Sequence, residues 1–188
     1  ITNKIIAYRN LRPDVNFQLY QTPGQEDDYD VCVTARRADT APKENDPATI
    51  MLEEDLYLAV PAHSPYGSRD SIRADYICLG GSKPIRQITN SYFMEAGFSP
   101  HIIFESDTTE SVRNLIAAGM GIGFWPACSW GPLTSNFGSS PGHFPVKLLP
   151  ITDQKCRRQI ILTCSEKRKN STIVKDFCNY LVEHNNWM

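Results

Sequence analysis

Apolar residues recur along this chain with two alternating periods, one helical and one strand-like. From Thr108 onward they fall at Val112, Leu115, Ile116 and Met120, which predicts a helix capped somewhere in Asp107–Thr109 and stopped by Gly119. The run Gly121-Ile122-Gly123-Phe124-Trp125, closed by Pro126, reads as a short buried strand. Ile85, Ile88, Tyr92 and Phe93 predict a helix from Pro84 to Ala96, opened by the proline and ended by Gly97. Ile1, Ile5, Tyr8 and Leu11 line one face of a first helix that runs to Arg12. Ile173, Val174, Phe177, Tyr180 and Leu181 face inward on a last helix, Thr172 to about His184, capped by Ser171.

The strand-like runs lie between these helices. Val15, Phe17 and Leu19 alternate and predict a strand over 16–21. Further strands are expected at 29–34, 49–52, 56–60, 76–79, 101–105, 146–149 and 159–163, with a short helix at 71–75. Polar stretches at 22–28 and 36–47 read as loop, as does the Gly- and Pro-rich stretch 129–145. Regular alternation of strand and helix predicts an α/β fold with a largely parallel sheet in each half.

Three glycine-bearing motifs carry the candidate chemistry. Gly119, Gly121 and Gly123 follow a helix and precede a strand. A dinucleotide fingerprint needs the reverse order, so that phosphate meets a helix N-terminus, and the order here excludes it. Gly80-Gly81-Ser82-Lys83-Pro84 has the suitable polarity of strand, glycines, helix, without the spacing of a Walker loop. Free backbone N–H groups, the Ser82 hydroxyl and the Lys83 ammonium would meet an anion there, and Arg86 lies one turn in, within reach of a carboxylate. The competing reading is an ordinary helix start with two surface cations. Ala127-Cys128-Ser129-Trp130-Gly131 imitates a nucleophile elbow, but Gly131-Pro132 follows where the elbow needs a helix. No acid–base constellation stands out, so the chain reads as a binding protein rather than an enzyme, with no cofactor.

Composition narrows the rest. The chain has 188 residues, 41% hydrophobic, with a formal net charge of -2. That charge gives no electrostatic footprint for nucleic acid, so specific DNA binding by this chain is not expected. No apolar run approaches the ~20 residues of a spanning helix. Six cysteines include no C-x-x-C and no His pair at ligand spacing, which argues against a structural zinc. Cys32, Cys78 and Cys164 sit in predicted strands as small buried residues do. The expectation is a reduced, cytoplasmic chain that needs no disulfide to fold, with a redox sensor as the alternative. Starting on Ile1 without a leader pattern, the sequence reads as a fragment.

The helix ending AAGMGIGFWP, preceded by the acidic and hydroxyl strand end Glu105-Ser106-Asp107-Thr108, resembles the effector-binding domain of LysR-type transcriptional regulators. The Pro13-Asp14-Val15 turn after the first helix, Asp30 in its strand, and LEEDLYLAVPAHSP (residues 52–65) match that family's order as well. Two departures stand out: the family's opening strand is absent, and GQEDDYD (24–30) is too short for its second helix.

The resemblance implies two lobes joined by two crossovers, like type 2 periplasmic binding proteins. Residues 1–60 plus 161–188 would form lobe I and 61–160 lobe II. It implies a small, often anionic effector between the lobes, touching Thr34, Ser82, Lys83, Arg86, Ser106, Asp107, Thr108, Phe124 and Trp125. It also implies homodimers or homotetramers, DNA contact only through an N-terminal helix-turn-helix outside this chain, and no membrane. A transporter's solute-binding protein and a small enzyme such as a dehydratase are the rivals on the same fold.

Overall fold

The computed structural model describes residues 1–20, 29–41, 44, 46–62, 64, 73–81, 83–130, 146–151 and 154–184. They form α1 (Thr2–Leu11), β1 (Val31–Arg37), β2 (Thr49–Pro61), β3 (Asp75–Leu79), α2 (Pro84–Glu95), β4 (His101–Ser106), α3 (Thr109–Ala117), β5 (Gly123–Pro126), β6 (Val146–Leu149), β7 (Arg157–Cys164) and α4 (Thr172–Glu183). Two compact units result, the first made of Ile1–Ala35, Thr40–Glu53 and Gln159–Met188, the second of Arg36–Asp39 and Glu54–Arg158.

In the first unit β7 lies between β1 and β2. Its core gathers Tyr8, Val15, Met51, Leu162, Phe177 and Leu181. Aromatic edges meet there: Phe177 lies 4.9 Å from Tyr8 and 5.1 Å from Phe17, ring centre to ring centre. Tyr8 is 2% exposed, and its hydroxyl donates to Asp176 Oδ2 at 2.7 Å. Burial and the Asp176 carboxylate push the Tyr8 phenol up to about 12, so it stays a donor at neutral pH. Tyr8→Phe keeps the ring packing and removes this bond, so urea titration should show a loss of about 1 kcal/mol. An unchanged midpoint would mean that the bond contributes nothing net.

The second unit is built on β3 and β4, which pair in parallel from Asp75↔His101 to Leu79↔Ser106. Ile122 adds a parallel bridge to Tyr76. The following residues leave β3 and pair antiparallel with β2, from Leu56↔Pro126 to Ala59↔Gly123. β6 pairs antiparallel with β2 from Leu58↔Leu149 to Pro61↔Val146. The core holds Leu58, Val60, Ala74, Tyr76, Cys78, Phe93 and Ile122. Ile85, Ile88, Tyr92 and Phe93 are all buried on α2, as their spacing predicts. Gly97 (φ 63°) and Gly119 (φ 76°) follow α2 and α3 in the left-handed region, which glycine enters without a Cβ clash.

Several expectations are corrected. The parallel arrangement holds for β3 with β4, but β2 pairs antiparallel with both β5 and β6, so the sheets are not simply parallel in each half. Residues 15–20 form no strand: Val15 is buried and Phe17 packs on the core, but Leu19 is 64% exposed. Alternation alone does not supply a hydrogen-bonding neighbour. The predicted strands 49–52 and 56–60 are one strand, because Glu53, Glu54 and Asp55 continue the extended chain instead of turning it. On α1 only Tyr8 is buried, and Ile1 and Leu11 are exposed. Ser171 occupies the N-cap of α4 without a side-chain bond, and Ile173 faces outward. Residues 71–72 of the expected short helix, the polar stretch 22–28 and residues 131–145 of the expected loop lie outside the described residues.

Candidate functional site

Two helix N-termini meet the C-terminal ends of β3 and β4. Parallel pairing leaves both strand ends, Leu79 and Ser106, on the same edge. The Gly80 N–H donates to the Ser106 carbonyl at 2.8 Å and ties the two outgoing loops together. Lys83 sits at the N-cap of α2 in extended conformation, and Pro84 opens the helix. Thr108 caps α3: its hydroxyl accepts from the Ser111 N–H at 3.3 Å, and its own N–H donates to Ser106 Oγ at 3.2 Å. The positive ends of two helices therefore lie at one edge of the sheet, an arrangement suited to a small anion.

The site residues named from the sequence are placed unevenly. Lys83, Arg86, Ser106, Asp107 and Thr108 gather at this edge, on the two loops and the first turn of α2. Ser82 lies outside the described residues. Thr34 is half-buried on β1 in the first unit. Phe124, on β5, is half-buried against Phe93 at 5.3 Å between ring centres. Trp125 is core: it is 2% exposed, and its ring meets Trp130 edge-on at 5.3 Å.

Arg86 is engaged within the chain. Its Nη1 donates to Glu105 Oε2 at 2.8 Å and to the Leu79 carbonyl at 3.1 Å, and its Nε donates to Asn90 at 2.9 Å. The guanidinium thus clamps the end of β3 to β4, and this clamp fixes the loop geometry instead of offering a free cation. Glu105 was missed by sequence reading. Nothing in its spacing from Arg86 marks it, because parallel strand pairing brings the two together.

Ser129 is not an activated nucleophile. Its hydroxyl donates to Glu54 Oε1 at 2.7 Å and accepts from Arg158. Glu54 Oε2 accepts from the N–H groups of Cys128 at 2.8 Å and Ser129 at 2.9 Å, and Arg158 Nε donates to Oε1 at 2.8 Å. Burial would raise the Glu54 carboxyl, but the Arg158 charge and these hydrogen bonds outweigh it and hold it below its ordinary value. The group is a closed structural network around a buried carboxylate. Among the described residues, no cluster of three or more His, Cys, Asp or Glu could hold a metal. No helix among them is long and apolar enough to cross a membrane.

Comparison with known proteins agrees with this architecture. Residues 3–186 match the family described as the LysR substrate binding domain. The HTH-type transcriptional regulator YybE of Bacillus subtilis (strain 168) is 23% identical over 198 residues, covering 98% of this chain and 63% of that protein. The chain therefore spans under two thirds of that relative's length. The Synechocystis PCC6803 CcmR regulatory domain, solved in complex with 2-PG, superposes with a TM-score of 0.75 at 14% identity, over 98% of this chain and 90% of that one. The effector binding domain of QuiR, solved with shikimate, gives a TM-score of 0.61 at 16% identity, over 97% and 77%. An α/β chain matched almost end to end by this family belongs to it: the protein is an effector-binding domain of the LysR type, a regulatory rather than a catalytic class.

Proposed function

We propose that this domain senses a small organic anion held at the β3–α2 and β4–α3 loops. The observation that carries this reading is the meeting of two helix N-termini at the paired ends of parallel strands, joined by the Gly80–Ser106 bond. Lys83, Ser106, Asp107 and Thr108 would supply polar contacts together with Ser82, and Phe124 an apolar wall. Arg86 would position the loop through Glu105. Thr34 belongs to the proposed set on the family resemblance alone. Shikimate, bound by QuiR, is a carboxylate, which supports an anionic effector for this chain as well.

The lobe division 1–60 plus 161–188 and 61–160 is part of the same proposal, with β2 and β7 as the two connections. The whole protein would be a cytoplasmic transcriptional regulator acting as a homodimer or homotetramer. Its DNA contact would come from an N-terminal helix-turn-helix outside this chain. YybE supports that by its HTH-type name.

Calorimetry of this chain against a panel of small carboxylates and phosphorylated carboxylates tests the site. With the tightest member, Ser82→Ala should cost about 0.5–1.5 kcal/mol of binding. Gly81→Val should abolish binding by filling the backbone approach. Among the described residues, none beyond its chain neighbours lies within 4 Å of a Cβ added at Gly81, so its melting point should stay within a few degrees of the parent. Normal binding by both variants would reduce the loop to a plain helix start and move the site elsewhere.

A further inference from the structure

The Sγ atoms of Cys164 and Cys178 lie 2.9 Å apart, fourteen residues apart in sequence. Cys164 is the last residue of β7 and Cys178 sits in the middle of α4, both in the first unit and both half-buried. They line one cavity of about 330 Å³ with Thr49, Leu162, Glu166 and Asn179. Cys78 and Cys156 are buried in the second unit, and Cys128 is exposed there. The sulfur pair therefore combines contact with access, a combination that neither a buried nor a solitary thiol offers.

We propose that Cys164 and Cys178 form an oxidant-responsive dithiol, which a hydroperoxide closes into an intramolecular disulfide tying β7 to α4. Both sulfurs line the cavity, so either can meet the oxidant. The first gives up its proton and attacks a peroxide oxygen; the O–O bond breaks, water (or an alcohol) leaves with that proton, and that cysteine becomes a sulfenic acid. The second sulfur attacks the first, the S–S bond forms, the S–O bond breaks, and the hydroxyl leaves as water with the second cysteine's proton. Two thiols are oxidised by two electrons, and one peroxide is reduced. The site is independent of the proposed effector loops, because none of its cavity residues belongs to them.

The test is oxidation of the reduced chain with hydrogen peroxide, followed by thiol counting in denaturant and peptide mapping by mass spectrometry. Two of the six thiols should disappear. One linked peptide pair carrying residues 164 and 178, lighter by two hydrogens, should form and be reversed by dithiothreitol. Closing a loop this short should raise the melting temperature by several degrees. Cys164→Ser and Cys178→Ser should each block linkage, and in at least one of them the remaining cysteine of the pair should be trapped as a sulfenic acid that a dimedone probe labels. Cys128→Ser should link as the parent does. Six surviving thiols, a link between other cysteines, or first oxidation at Cys128 would each overturn the proposal. The mapping of the parent chain stands whether or not a serine variant folds.

Discussion

Glu54→Ala should destabilise the protein by about 3–5 kcal/mol, the largest effect we expect from a single truncation. Glu54 has no exposed side-chain surface and Arg158 retains 7%. Removing the carboxylate strands a buried guanidinium, and it leaves the Cys128 and Ser129 N–H groups without their acceptor. Glu54→Gln keeps an acceptor of the same shape but not the charge, so it should fall between. Urea titration with unchanged slope would measure both, and a loss under about 1 kcal/mol for the alanine variant would contradict the account. The sign of the pH dependence also follows. The Glu54 carboxyl is held below its ordinary value, so its contribution is full above the unfolded value of about 4.3 and is lost as pH falls through the lower folded value. The stability gap between parent and Glu54→Gln should therefore narrow on acidification below about pH 4 and stay constant at neutral pH.

Gly123→Val should be the second large effect. A Cβ at this position would stand 2.7 Å from the Ile77 carbonyl oxygen and 2.9 Å from Ile116 Cδ1. The first contact is backbone and cannot rotate away. Overpacking of this kind costs about 1–3 kcal/mol, and a β-branched side chain should reach or exceed the upper end. In a domain of this size that lowers the melting point by about 2–4 °C for each kcal/mol. Because Ile77 lies on β3 and Ile116 on α3, the clash also pushes apart the elements that carry the proposed effector loops. Effector binding should weaken together with stability. Gly81→Val, whose Cβ meets none of the described residues beyond its chain neighbours, should separate the two effects. A Gly123→Val melting point equal to the parent's would show that the β3–β5 approach is looser than its geometry.

The candidate site was partly legible in the chain. Helix starts are local events: Thr108 with Ser111, and Lys83 with Pro84, lie within a few residues of each other, so their roles follow from short-range chemistry. Arg86 was legible as a cation near the loop but not as a clamp, because Glu105 is 19 residues away and comes close only when β3 and β4 pair. Trp125 closes an apolar run, and the family resemblance implies contact with the effector. Burial against Trp130 made it core.

The sequence by itself determined the α/β class, the four helices found among the described residues, the polarity of the Gly80–Pro84 loop and the family resemblance, since each depends on period, capping or motif order along the chain. Only the tertiary structure decided that Glu53–Asp55 continue one strand, that residues 15–20 pair with nothing as a strand, and that β5 and β6 run antiparallel to β2. It also decided that Glu54 meets Arg158 across 104 residues and that Cys164 touches Cys178. The physical reason is common to these cases. A strand needs a neighbour and a buried charge needs a partner, and hydrophobic period along a chain specifies neither until the chain has folded.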